Sequence, residues 1–280
     1  MHLPQGAGGL IGLTILAGLL GILVPACTEP TPITRSVVLS GGAYVRIANR
    51  WIPGQPQDST SLAALSSGEF SVEIWAAGDS LPPNTLERPS LFTISNTANG
   101  TEIGIFRAPF DSSAIFVILS GQFIPQLFSI PGCDWNDPDL FVQVVLTYDG
   151  NTLTLYGNGT RLGSTTLGAN IDVFDSDALI GAEWGTRNDP STLDNFWYGA
   201  IDEVRLWTIV LQEGEMAFRY NNPGKLTRHY SPTGLDALIG LWRFNRAGLD
   251  GDPVLDGSGK GNDAVLNKAE GQLDFTDAGS

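Results

Sequence analysis

Polar and apolar residues alternate in short runs from residue 36 to residue 266, the two-residue period of strands rather than the spacing of helices. Residues 36–40 and 43–48, separated by Gly41-Gly42, predict a hairpin of two strands. Residues 70–76 alternate cleanly, with Phe70, Val72, Ile74 and Ala76 facing one way. Shorter strands are predicted at 90–95, 102–107, 114–120 and 178–183, each bounded by Gly, Asn or Asp. The strongest local signal is FVQVVLTY (141–148), turning at Asp149-Gly150-Asn151 into 152–156 and again at Gly157-Asn158-Gly159 into 161–167. Asp-Gly and Asn-Gly tolerate positive φ, so this segment predicts a β-meander. Residues 123–138 and 184–195 read as loops, residues 211–220 as one or two helical turns with Met216, Ala217 and Tyr220 on one side, and 238–244 as a final strand.

The segment YGAIDEVRLW (198–207) contains the most informative polar residue. Strict alternation places Asp202 on the face of Ala200, Val204 and Leu206, and Glu203 on the opposite face. A carboxylate leaves water only when hydrogen-bonded, ion-paired or metal-bound. Two readings follow: an Asp accepting bonds from a nearby turn, or a hard cation at the sheet rim.

Composition narrows the class. Thirty-four glycines and 17 prolines punctuate 280 residues, which favours many short strands joined by turns. A net charge of −15 repels a phosphate backbone and argues against nucleic-acid binding. The two cysteines, Cys27 and Cys133, are far apart and histidines are scarce, which excludes the usual zinc spacings.

Residues 10–24 form a continuous apolar run of the length of a signal-peptide core, short for a membrane span. Val24-Pro25-Ala26-Cys27 resembles the bacterial lipobox. The resemblance implies cleavage before Cys27, lipid attachment there, and an envelope-anchored protein carried across the inner membrane. An ordinary secretory signal is the alternative, with Cys27 and Cys133 then able to form a disulfide. The expected organisation is a leader (1–26), a Pro/Thr tether (27–36) and one domain (37–280) ending in a polar tail (266–280).

Four segments in this order, GEFSVEIWAAG (68–78), VVLTYDGNTLTLYGNG (144–159), YGAIDEVRLW (198–207) and LIGLWRFNRAGLDGDPVLDGSGKGNDAVL (238–266), resemble the laminin-G-like, concanavalin-A-like domains of bacterial extracellular proteins. The resemblance implies an all-β fold, a two-sheet antiparallel jelly-roll sandwich. It also implies a structural Ca²⁺ at the sandwich rim, held by Asp202, Asp256 and Asn262, with an empty cluster of Asx turns as the alternative. Calcium takes six to eight oxygens, and a glycine-rich loop can aim carbonyls at it.

The paired-carboxylate spacing Glu-x-Asp-x-x-Glu of related glycoside hydrolases is absent from the sequence, as is any nucleophile motif around His229. A non-enzymatic binding module is the expectation. Trp51, Trp135 and Trp184 fall in predicted loops beside Asp, Asn or Arg, a mix suited to stacking on a sugar and bonding its hydroxyls. The alternative is that the loops fold back and bury them. A glycan is the first ligand class and an extracellular protein partner, for adhesion or surface structure, the second.

Overall fold

The computed structural model describes residues 36–50, 59–82, 87–96, 100–124, 126–174, 176–186, 189–226, 232–244 and 251–268. Its strands are β1 (Val37–Ser40), β2 (Ala43–Ile47), β3 (Glu69–Gly78), β4 (Ser90–Asn96), β5 (Gly100–Arg107), β6 (Ala114–Leu119), β7 (Gln122–Phe123), β8 (Phe128–Ser129) and β9 (Val142–Asp149). They continue with β10 (Thr152–Gly157), β11 (Thr160–Thr166), β12 (Ala178–Ile180), β13 (Glu183–Thr186), β14 (Asp189–Asp194), β15 (Tyr198–Trp207), β16 (Leu238–Trp242), β17 (Pro253–Val254) and β18 (Ala264–Lys268). The first sheet runs β1-β15-β3-β9-β10-β11, with β16 also paired to β15; the second runs β17-β18-β2-β12-β4-β5-β6-β7, with β8 on β6. Apart from the separate β13–β14 ribbon, these two antiparallel sheets form the jelly-roll sandwich.

One apolar core lies between the sheets. Phe70, Val72, Ile74 and Ala76 of β3 share it with Val144 and Leu146 of β9, and with Val45, Phe92, Ile105 and Val117 from the second sheet. The meander forms as its turns require: β9, β10 and β11 pair in succession, with Gly150 and Gly159 at φ +86° and +74°.

Three elements differ from the pattern-based expectation. First, the strands flanking Gly41-Gly42 do not form a hairpin. β1 pairs with β15 in the first sheet and β2 with β12 and β18 in the second, so the two glycines carry the chain across the sandwich. Gly41 has φ +78°, and the Tyr198 ring lies where its side chain would be, which only glycine allows. Second, residues 184–195 are largely the ribbon β13–β14. Third, β15 is bulged. Asp202 lies opposite Trp75 and Arg205 opposite Glu73, so two residues face Ile74, and Glu203 adopts φ +48°. The extra residue shifts the alternation: Ile201, Val204 and Leu206 face the core, whereas Asp202 lies on the outer face beside Trp75.

Candidate functional site: the outer face of the second sheet

The two outer faces differ in what covers them. On the first sheet a short helix, α1 (Met216–Asn221), follows a 3₁₀ turn and closes the face. Met216 packs with Val145, Tyr156, Trp207, Leu211 and Leu241, and Tyr220 stacks on Trp75 at 5.5 Å and 6°. Arg219, rather than Ala217, faces inward, its guanidinium 4.9 Å above the Trp207 ring. Beneath it lies an ion-pair network. Glu73 Oε2 is 3.1 Å from Arg205 Nη1 and 3.0 Å from Arg219 Nη1, and Glu203 Oε2 is 2.6 Å from Arg205 Nη2. Gln143 Nε2 donates to Glu73 Oε1, and Arg205 Nη2 to the Pro223 carbonyl. Burial works to raise the Glu73 carboxyl, but the Arg205 and Arg219 guanidiniums hold it below the usual value. These charges are fully committed to one another and to the helix above them.

The second sheet presents a different outer face. β6 is apolar on both sides, and β5 sets Ile103 and Ile105 in the core and Phe106 on the outer side. Phe106 stacks on Phe116 at 5.1 Å, and Phe116 meets Phe123 at 5.3 Å and 58°. The first two rings are buried, and Phe123 is 54% exposed. Gly104 makes room for this ladder, because any side chain there would meet the Phe106 ring.

At the other end of the ladder Arg88 sets its guanidinium 5.3 Å over Phe106. Its Nη2 lies 3.3 Å from Glu183 Oε2, which also accepts from Asn195 Nδ2 at 2.7 Å. Glu183 Oε1 accepts from Thr101 Oγ1 at 2.6 Å, and the Arg88 main-chain N–H donates to Asn195 Oδ1. Glu183 is nearly buried, while the Arg88 side chain remains 43% exposed. Among the described residues only Nη2 of that guanidinium is hydrogen-bonded, so other N–H donors face outward. An exposed phenyl ring, an outward-facing cation and a fixed carboxylate–amide pair thus line one face.

Of the tryptophans named from sequence, Trp135 falls elsewhere. Trp135 is wholly buried, edge-on to Trp197 at 5.4 Å, and its carbonyl accepts from Arg107, so its ring cannot stack on a ligand. The burial comes from loop 130–139 folding back: the Trp135 N–H bonds the Ser112 carbonyl, and Gly78 leaves space for the Trp135 carbonyl. Trp184 is half-buried on β13 opposite Leu193, next in sequence to Glu183 at the margin of the site. Trp51 and Cys27 lie outside the described residues. Cys133 is free and partly buried; burial, with the Asp134 charge, pushes its thiol up to about 12.

The calcium set does not fit its ion. Asp256 Oδ1 accepts the main-chain N–H groups of Leu241 and Ser258, and Oδ2 accepts the Ser258 hydroxyl and the Asn262 N–H. Four donors occupy its two oxygens. Asn262 Oδ1 accepts from Arg50 Nε at 3.1 Å. Asp202 is bonded to neither and sits beyond the bulge beside Glu203, Arg205 and Arg243. Burial, with Glu203 adding, pushes its carboxyl up to about 7, against a main-chain bond from Glu203 and the two guanidiniums. Among the described residues no group of three or more His, Cys, Asp or Glu converges to hold a metal.

Sequence reasoning missed Arg88, Phe106, Phe116, Phe123 and Asn195. The available signal was the unbroken apolar run Ala114–Leu119, which leaves Phe116 and Ile118 on the side away from the core.

The chain belongs to the concanavalin A-like lectin/glucanases superfamily, whose laminin-G-type model matches residues 42–217. No curated protein sequence matches the chain. Among solved structures, a candidate carbohydrate-binding protein of Bacteroides ovatus superposes with a TM-score of 0.55 at 15% identity, covering 88% of this chain. The chain spans 62% of the length of that protein. The heptameric SAP-like pentraxin of Limulus polyphemus superposes with a TM-score of 0.50 at 11% identity, over 86% of this chain and 98% of the pentraxin.

Proposed function

We propose that this protein is a non-catalytic carbohydrate-binding module, held at the bacterial cell envelope by a lipid on Cys27. The observation that carries the glycan reading is that one outer face carries the Arg88, Glu183 and Asn195 cluster at one end of the Phe106–Phe116 ladder and the exposed Phe123 ring at the other. A pyranose offers an apolar C–H face and a rim of hydroxyls. The exposed ring of Phe123 suits a C–H face at one end of the ladder, and the N–H donors of Arg88 suit the hydroxyls of another sugar of the same chain at the other. On the other sheet α1 roofs the outer face over β9, β10, β15 and β16. The carbohydrate-binding assignment of the Bacteroides ovatus protein, which shares the fold, supports the same ligand class. A glycan-array screen of residues 28–280 tests it.

A protein ligand is the second reading, favoured by Phe110, 87% exposed, and by β11, which among the described residues pairs only with β10 and leaves a strand edge for an incoming chain. The lipid anchor rests on the leader and lipobox pattern, and release of the protein by replacement of Cys27 tests it separately.

A further inference from the structure

The loop Asp256-Gly-Ser-Gly-Lys-Gly-Asn262 joins three parts of the sandwich. Asp256 takes the N–H of Leu241 on β16, in the first sheet, and the Leu241 carbonyl accepts from Gly257. Asn262 Nδ2 donates to the carbonyls of Ile239 and Thr60, each at 2.6 Å, and its own carbonyl accepts from Trp242 Nε1. The chain then enters β18, which pairs with β2 in the second sheet. The loop is therefore a clasp between the two sheets.

Two oxygens of the clasp and two of Thr60 surround one guanidinium. Arg50, just beyond β2, donates from Nε to Asn262 Oδ1 at 3.1 Å and from Nη2 to the Lys260 carbonyl at 2.9 Å. Nη2 also lies 3.3 Å from the Thr60 carbonyl and hydroxyl. A side-chain amide oxygen and main-chain carbonyls, one of them from a glycine-rich loop, are the hard donors that a calcium ion would draw on. Here a planar cation with fixed N–H directions binds them instead. Gly261 is called for by its φ of +77°, and a Cβ there would meet Arg50 Nη1 only at ordinary contact distance.

We propose that Arg50 is the built-in cation of this clasp, taking Asn262 Oδ1, one of the groups to which the family resemblance assigns calcium, so that the sheets are joined at this end without a metal ion. Charge supports the assignment. The Asp256 carboxylate already accepts four donors, and a divalent ion would have to displace them while sitting beside a guanidinium of like sign. The inference is independent of the ligand-binding reading, because the clasp shares no residue with the Arg88 site.

The test is the thermal midpoint of residues 28–280, measured in EDTA and in millimolar CaCl₂, together with terbium as a luminescent calcium stand-in. Trp242 donates to the clasp itself and so lies where it would sensitise a bound lanthanide. The expected result is one midpoint in both buffers and no saturable sensitised emission. Arg50→Ala is expected to lower the midpoint by about 4 °C. If that variant does not fold, Arg50→Lys supplies a graded readout: a point charge cannot span the oxygens, and its midpoint should also fall below the native value. A native midpoint that drops in EDTA, saturable terbium emission from the native chain, or Arg50 variants as stable as the native chain would overturn the proposal.

Discussion

Glu73 and Arg205 form an ion pair of 3.1 Å in which both side chains are wholly buried. The pair sits directly opposite across β3 and β15, in the register created by the bulge at Glu203. Removing only one partner leaves the other charge stranded out of water. Glu73→Ala is therefore expected to cost about 3–5 kcal/mol, read as a lower denaturant midpoint. The double replacement Glu73→Met/Arg205→Met should cost less than the sum of the two single changes, because the desolvation of both charges disappears with them.

Asp202 gives the protein a defined pH response. Its carboxyl, at 3.8 in an unfolded chain, is pushed up to about 7 by burial. A raised carboxyl stabilises the fold most below about pH 4, and this contribution is lost as pH rises through 7. Asp202→Asn should accordingly flatten the stability profile between pH 5 and 8 and make the variant more stable than the native chain at pH 8. Glu73 acts in the opposite sense. Held below 4.5, its contribution is present above that value and lost as pH falls further. Urea titrations at pH 5 and pH 8 separate the two; a native chain more stable at pH 8 relative to the variant would contradict the assignment to Asp202.

What the sequence conveyed and what it withheld divide along physical lines. The meander was legible because its turn dipeptides and its alternation lie within one continuous stretch, as do the apolar face of β3 and the short helix at Met216. The partner of a strand is not a local property. The pattern around Gly41-Gly42 is that of a hairpin, yet β1 and β2 belong to opposite sheets. Asp202 shows how one residue moves a side chain across a sheet: nothing in IDEVRLW announces a positive φ at Glu203. The candidate site was hidden for a similar reason. Arg88, Phe106, Phe123 and Glu183 come from separate elements and meet only on the folded face. Trp135 failed as a guide because a large ring in a loop is as useful to a core as to a ligand, and this one serves the core.

The anchor has its own signature. With Cys27→Ala the lipid acceptor is gone, so the protein should move from the membrane fraction to the soluble fraction of cell lysates. A variant that still sediments with membranes at the native level would remove Cys27 from the account.

Glu183 fixes the ribbon β13–β14 to the outer face through Thr101, Arg88 and Asn195. Glu183→Gln keeps the shape but removes the charge that orients Arg88. Binding should weaken by about tenfold, with a change in thermal midpoint of only a few degrees. Equal loss of stability and binding would instead assign Glu183 a purely structural role.

The most direct measurement is a glycan array probed with residues 28–280 beside Phe123→Ala and Arg88→Ala, each run in calcium and in EDTA. The account predicts specific binding by the native chain, unchanged by EDTA, and about tenfold weaker binding by each variant with its fold intact. Absence of binding to any glycan, or binding undiminished in both variants, would contradict a carbohydrate site on this face.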